Sequence, residues 1–239
     1  MAVAHDASSE SHTGTTGSAS EGSFTWDHTP VGVPAGVLVF TFVNVNADNA
    51  LGVTYAGLEL TAVPGGRAAD VATEPGQCKA WFLGRGLPTG LQAVVVTRTN
   101  NANVMYAAAI TVTALCNTEV VLPPVLQQDN SVAVEQPVDT KGRQAQRYAG
   151  TNSGLADIVT ALTAGANSTA LVGIDFGARV CLTVRETTPG TGSRNVGFSG
   201  ASDDFAGVFL AVSEIPPTPF ENYKYGRADS GLWVGERVR

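Results

Sequence analysis

Histidine is scarce in this chain of 239 residues: His5, His12 and His28 are the only three. Nucleophilic sites of the Ser-His-Asp or Cys-His kind need a positioned imidazole. His5 and His12 fall in a Ser/Thr/Gly-rich leader, which leaves His28, beside Asp27. Gly197-Phe198-Ser199-Gly200 lacks the G-x-S-x-G spacing of a nucleophile elbow, so no catalytic residue is assigned. Cysteine is also sparse. Cys78, Cys116 and Cys181 are odd in number and widely separated, which excludes a disulfide framework and paired-cysteine zinc ligation. They read as buried small hydrophobes of a chain folded in a reducing compartment. Charged residues make up only 15 %, with a net charge of −7 and no basic run. Gripping a phosphate backbone needs clustered Lys and Arg, so nucleic acid is not an expected partner. No stretch of eighteen apolar residues occurs, and residues 1–22 contain no apolar core of a secretory signal. Neither a membrane span nor export by the general secretory route is expected.

Metal and phosphate motifs are missing too. HExxH, the P-loop and G-x-G-x-x-G in strand–helix context do not occur. Asn44, Asn46, Asp48 and Asn49 offer oxygens of the kind Ca²⁺ prefers, but one carboxylate supplies little charge and such residues are ordinary in turns. Asp203-Asp204 has the same double meaning. A carboxylate pair for glycoside hydrolysis could be drawn from Asp70, Glu74, Asp175, Glu186, Asp203 and Asp204, but spacing selects no pair. The expectation is therefore no metal, no cofactor and no enzyme activity.

What the chain has is strand and turn chemistry. Hydrophobic residues reach 44 % and glycine numbers 27, and Val, Thr and Ala recur in short runs broken by Gly and Pro. Val37 to Asn46 reads as a central strand. Val37, Val39, Thr41, Val43 and Val45 share one face, and Leu38, Phe40 and Phe42 the other, so both faces should be covered. Val53 to Tyr55 and Leu58 to Thr61, around Ala56-Gly57, read as a two-residue hairpin. Residues 64–76 read as a polar loop, and Pro123-Pro124 as a break between two short strands. Further strands fall at 78–83, 93–99, 104–115, 171–176, 180–186 and 205–213. This grammar predicts an all-β fold, a β-sandwich or jelly roll, over residues 23–215. A weak internal echo links Val94–Thr99 and Met105–Val112 with Cys181–Thr187 and Phe205–Val212. Two similar hairpins or chance among Val/Thr/Ala strands would each produce it.

The termini differ. Residues 1–22 cannot bury enough apolar surface to offset their ordering entropy and should form a flexible arm, expected with the carboxy-terminal tail to hold the protein to neighbouring subunits. Residues 216–239 open with Pro216-Pro217-Thr218-Pro219, which cannot join a central sheet, and continue with aromatics among charges of both signs. Phe220, Tyr223, Tyr225, Leu232 and Trp233 are the candidate partner-binding residues of an extended docking tail.

Ser23-Phe24-Thr25 with His28-Thr29-Pro30-Val31-Gly32, then Gly52 to Thr61 (GVTYAGLELT), then Trp81-Phe82-Leu83 with Pro88-Thr89-Gly90, resemble a pattern found in tailed-phage virion proteins. There a "VTYGGVALT" hairpin precedes an "xWFLxxxPTG" strand. Asp203 to Ile215 (DDFAGVFLAVSEI) resembles that pattern's final core strand. The resemblance spans residues 23–215, speaks to fold, and carries over no binding residue. It implies a non-enzymatic virion protein, assembled in the host cytoplasm, decorating the head or associated with the tail. Its partners would be other capsid or tail subunits and further copies of itself. A carbohydrate- or receptor-binding module of a fibre is the alternative, with host-surface glycan as ligand and Trp81 and Tyr55 as the body's candidate aromatic platforms.

Overall fold

The computed structural model describes residues 3–6, 11–15, 22–45, 47–70, 76–99, 103–153, 162–175, 180–215, 223–227 and 233–237. Among them there is no helix, and every strand pair is antiparallel. The strands are β1 (Ala4–His5), β2 (Ser11–Thr15), β3 (Ser23–His28), β4 (Pro34–Val43), β5 (Ala50–Tyr55) and β6 (Leu58–Glu59). Next come β7 (Thr61–Asp70), β8 (Gly76–Leu83), β9 (Gln92–Arg98), β10 (Met105–Thr113), β11 (Thr118–Asp139) and β12 (Ala145–Ser153). The last are β13 (Leu162–Ala164), β14 (Ser168–Asp175), β15 (Val180–Glu186), β16 (Ser193–Glu214), β17 (Tyr223–Arg227) and β18 (Trp233–Arg237).

Two sheets build the first half of the body. One has the order β1-β10-β4-β8-β7, with β2 also on β10; the other is β3-β9-β5-β6. This is the strand order of a jelly roll, whose two sheets close over one core. The second half repeats it with fewer, longer strands. β11 and β16 each run 22 residues within one six-stranded sheet, whose two ends pack on each other over a shared core. Thr118–Ser131 pairs with the late part of β16, and Ala133–Asp139 with its early part. The late part continues through β12 and β15 to β14, and β13 pairs with the early part at Phe198–Gly200. Strand for strand, β12 takes the place of β4, β15 that of β8, and β14 that of β7. The two parts of β16 replace β9 and β10. The two parts of β11 replace the amino-terminal strands and β3.

The echo in the sequence is thus half right. Met105–Val112 and Phe205–Val212 hold equivalent places. The counterpart of Val94–Arg98 is instead the start of β16, because Val180–Glu186 pairs with β12 as β8 pairs with β4.

Residues 4–5 and 11–15 depart from the expected flexible arm. They pair with Val112–Thr113 and Met105–Ala109 along the free edge of β10, and Val3 is fully buried. An edge strand is held by main-chain hydrogen bonds, which Ser, Thr and Gly supply as well as any residue. The polar loop at 64–76 also differs: Thr61–Asp70 is an edge strand, with Pro64-Gly65-Gly66 inside an irregularity between Ala62 and Arg67. Gly65 takes φ 70° there. Pro123-Pro124 likewise interrupts pairing between Val121 and Val125 without ending β11. An edge strand tolerates proline because one side of it needs no ladder partner. The Ala56-Gly57 turn is as expected, with φ 52° and 77°, the pair of left-handed residues a two-residue hairpin requires.

Three clusters make the core. Val37, Val39, Trp81, Met105 and Ala109 pack on Val53, Tyr55, Val94 and Val96 inside the first jelly roll. Ala149, Leu182, Val184, Phe205 and Phe209 pack on Val138, Val196 and Phe198 inside the second. The third joins the two back to back: Leu38, Phe40, Phe42, Cys78, Ala108 and Ile110 meet Tyr148, Cys181, Val208 and Leu210. β4 is buried along its whole length, as its alternating pattern demands.

Equivalent positions meet across that joint. Phe40 pairs with Ala80 and Ala108, and Gly150 with Thr183 and Val208, so the two hold matching places. The Phe40 ring lies on Gly150, where an added Cβ would stand 2.6 Å from Cδ1. Cys78 Sγ donates to Gly150 O at 3.3 Å. The Asn152 side chain donates to Val43 O at 2.7 Å and to Gln77 O at 3.3 Å. Burial pushes the Cys78 thiol well above its ordinary range, which makes it an inert packing group.

Candidate functional site

Of the five tail residues singled out in the sequence, Phe220 and Leu232 lie outside the described residues. Tyr223, Tyr225 and Trp233 fall on β17 and β18, which form a two-stranded sheet of their own. Tyr223 pairs with Arg237, Tyr225 with Gly235 and Arg227 with Trp233. Side chains alternate along a strand, and directly paired residues share a face. By register, positions 223, 225, 227, 233, 235 and 237 therefore fall on one side of the ribbon, and 224, 226, 234 and 236 on the other. The extended-tail reading gives way here to a hairpin.

The candidate platforms Trp81 and Tyr55 do not reach the surface. Trp81 is 4 % exposed, donates Nε1–H to Thr41 Oγ1 at 3.1 Å and carries the Lys79 ammonium over its ring at 4.4 Å. Tyr55 is fully buried and donates to Pro88 O at 3.1 Å. Burial pushes its phenol up to about 12. Both are core residues, because the inward face of each strand holds the larger apolar surface.

His28 is buried, with Nε2 2.7 Å from Thr111 Oγ1 and its ring edge-on to Tyr55. The neighbouring Asp27 lies on the opposite, exposed face of β3. Of the suggested calcium ligands, Asp48 is held by Lys79 Nζ at 2.8 Å, and the Asn49 amide oxygen accepts from Thr99 Oγ1 at 3.0 Å. Asn46 and Glu74 lie outside the described residues. Among the described residues no group of three His, Cys, Asp or Glu gathers as a metal site would.

One polar constellation is assembled only by the fold: the sequence offers Glu186 as one of six loose carboxylates and gives no sign of its partner Arg147. Arg147, fully buried on β12, faces Glu186 at the end of β15, with Nη1 2.7 Å from Oε2. The Arg147 N–H donates to Oε1 at 3.0 Å. Arg147 Nε donates to Val138 O at 2.8 Å and Nη1 to Gly190 O at 3.4 Å; Nη2 donates to Gly192 O. Burial pushes the Glu186 carboxyl above its ordinary value, against the pull of the Arg147 guanidinium and main-chain N–H. At the equivalent positions the first jelly roll pairs Val37 with Leu83. Only the three-dimensional equivalence of the halves makes this contrast visible.

No protein-family model, curated protein or solved structure matches the chain.

Proposed function

We propose that the chain is a non-enzymatic structural protein of a tailed-phage virion, decorating the head or associated with the tail. Two jelly rolls fused through a buried joint form its rigid body, and the carboxy-terminal ribbon fastens it to neighbouring subunits. The observation that carries this reading is the ribbon's register, which places Tyr223, Tyr225 and Trp233 on one side of the ribbon with Arg227 and Arg237. An isolated two-stranded hairpin is marginal in water, and aromatic and arginine residues are the usual anchors of interfaces. The resemblance of residues 23–215 to virion β-modules supports the same reading. The amino-terminal segment drops out as a fastening device, since its strands complete the chain's own sheet.

The test is a chain ending at Ile215, compared with the full chain and with Trp233→Ala. The expected result is an unchanged unfolding transition of the body together with reduced incorporation into particles. Full occupancy by the tail-less body removes the proposal. The second reading, a carbohydrate- or receptor-binding module, loses its platforms Trp81 and Tyr55. It is favoured by a separate feature, a polar cleft on the second jelly roll.

A further inference from the structure

The turn between β15 and β16 roofs the buried Arg147–Glu186 pair. Arg147 binds two of its carbonyls, Gly190 O and Gly192 O, from below, and Ala145 bridges Gly190 from the side. Gly192 takes φ 79°, a conformation that favours glycine. Thr187 N donates to Asn167 O at 2.9 Å, which ties the turn before β14 to the same spot. Arg194 Nη1 donates to Thr188 O at 2.9 Å, and its guanidinium rests where a Cβ on Gly190 would stand, 2.6 Å from Nη2. The loop is thus fixed at several points before any ligand arrives.

Over this loop opens a cleft of about 400 Å³, lined by Asn167, Glu186, Thr187, Thr188, Arg194 and Asn195. All six are polar, and all but Glu186 are exposed. The fold does not require the charges beneath it. Val37 and Leu83 close the same corner in the first half, and buried ion pairs are often no more stabilising than apolar replacements. The pair lies instead directly beneath a surface loop that it holds in place.

We propose that this cleft binds a carboxylated sugar unit, such as a uronic or sialic acid of a surface polysaccharide. Two amides and two hydroxyls match the donors and acceptors of vicinal sugar hydroxyls. Glu186 is neutralised first by Arg147, with Arg194 a weaker neighbour; Arg194, exposed and tied to Thr188 O through Nη1 alone, keeps further N–H groups to offer a ligand carboxylate. The lining has no aromatic plane for a neutral sugar to stack on, so the ligand's own charge must supply the hold. The site is distant in sequence from the ribbon, and its failure leaves the virion-fastening reading untouched.

The experiment follows amide ¹H–¹⁵N shifts of the full chain during titration with glucuronate, galacturonate and N-acetylneuraminate, with glucose and acetate as comparators. Saturable shifts at residues 167, 186–188 and 194–195 are expected with at least one acid sugar and not with glucose. Arg194→Ala, whose side chain is exposed, should keep the fold and weaken binding about tenfold or more, the loss of one charge-assisted hydrogen bond. Absence of saturable shifts with all three acids overturns the proposal. So does binding that Arg194→Ala leaves unchanged, or acetate binding as tightly as the sugars.

Discussion

Gly150→Ala probes the joint between the jelly rolls with a single methyl group. The new Cβ would stand 2.6 Å from Phe40 Cδ1, 2.7 Å from Cγ and 3.1 Å from Cε1, where ordinary contact begins near 3.4 Å. The ring cannot swing away, because Phe40 is fully buried in the shared cluster and lies beside Phe42 at 6.4 Å between centroids. Overpacking of this kind costs about 1–3 kcal/mol. In a chain of this size that lowers the midpoint of thermal unfolding by roughly 2–12 °C. Phe40→Ala alone should cost about 3–5 kcal/mol. On that background the methyl enters the space the ring has left, and Gly150→Ala should be nearly neutral or stabilising by about 0.4–1 kcal/mol through the unfolded chain. Urea titrations followed by far-ultraviolet circular dichroism and by tryptophan fluorescence give all four free energies. In a chain ending at Ile215, which removes Trp233, Trp26 and Trp81 report the first half only, so coincident transitions also establish that both halves unfold together. The reasoning fails if Gly150→Ala costs the same on both backgrounds, within about 0.5 kcal/mol.

Glu186→Leu strands the Arg147 guanidinium, which is fully buried, and should cost about 3–5 kcal/mol in the same urea titration. The double change Arg147→Val with Glu186→Leu copies the pair Val37–Leu83 and should recover part of that loss; a double variant no better than the single refutes the equivalence of the two corners. Tyr55 supplies a pH test. Its folded value near 12 exceeds the ordinary 10, so the native state holds the phenolic proton more tightly. That stability is present in full below pH 10 and is lost as pH rises from 10 through 12. Unfolding free energies between pH 9 and 12 should fall less steeply for Tyr55→Phe than for the parent, and superimposable slopes count against the assignment.

The central strands were legible because each carries its own signal. Val37–Val43 alternates two apolar faces, and no arrangement other than a layer on each side satisfies both. Ala56-Gly57 has the residues its turn conformation requires. Edge strands were less legible. Residues 4–5, 11–15, 64–70 and 123–131 carry little apolar pattern, since an edge is held by main-chain hydrogen bonds that any sequence can make. Propensity read them as arm, loop and break; the open sides of β8, β10 and β16 drew them into sheets. The candidate tail residues were found by their contrast with the body. The face they share came from register, which depends on where the hairpin turns.

By itself, then, the sequence determined the class. Val- and Thr-rich runs between glycines and prolines commit the backbone to strands, because β-branched side chains fit a pleated, half-buried surface. The tertiary structure decided that the strands are spent twice on one topology, and that Phe40 meets its counterpart Gly150 across the joint. It also decided that Arg147 lies under the turn where Glu186 can neutralise it. These are pairings between residues far apart in the chain. Local propensity carries no information about partners at that separation; they are selected only when the sheets close and each buried group must find a complement.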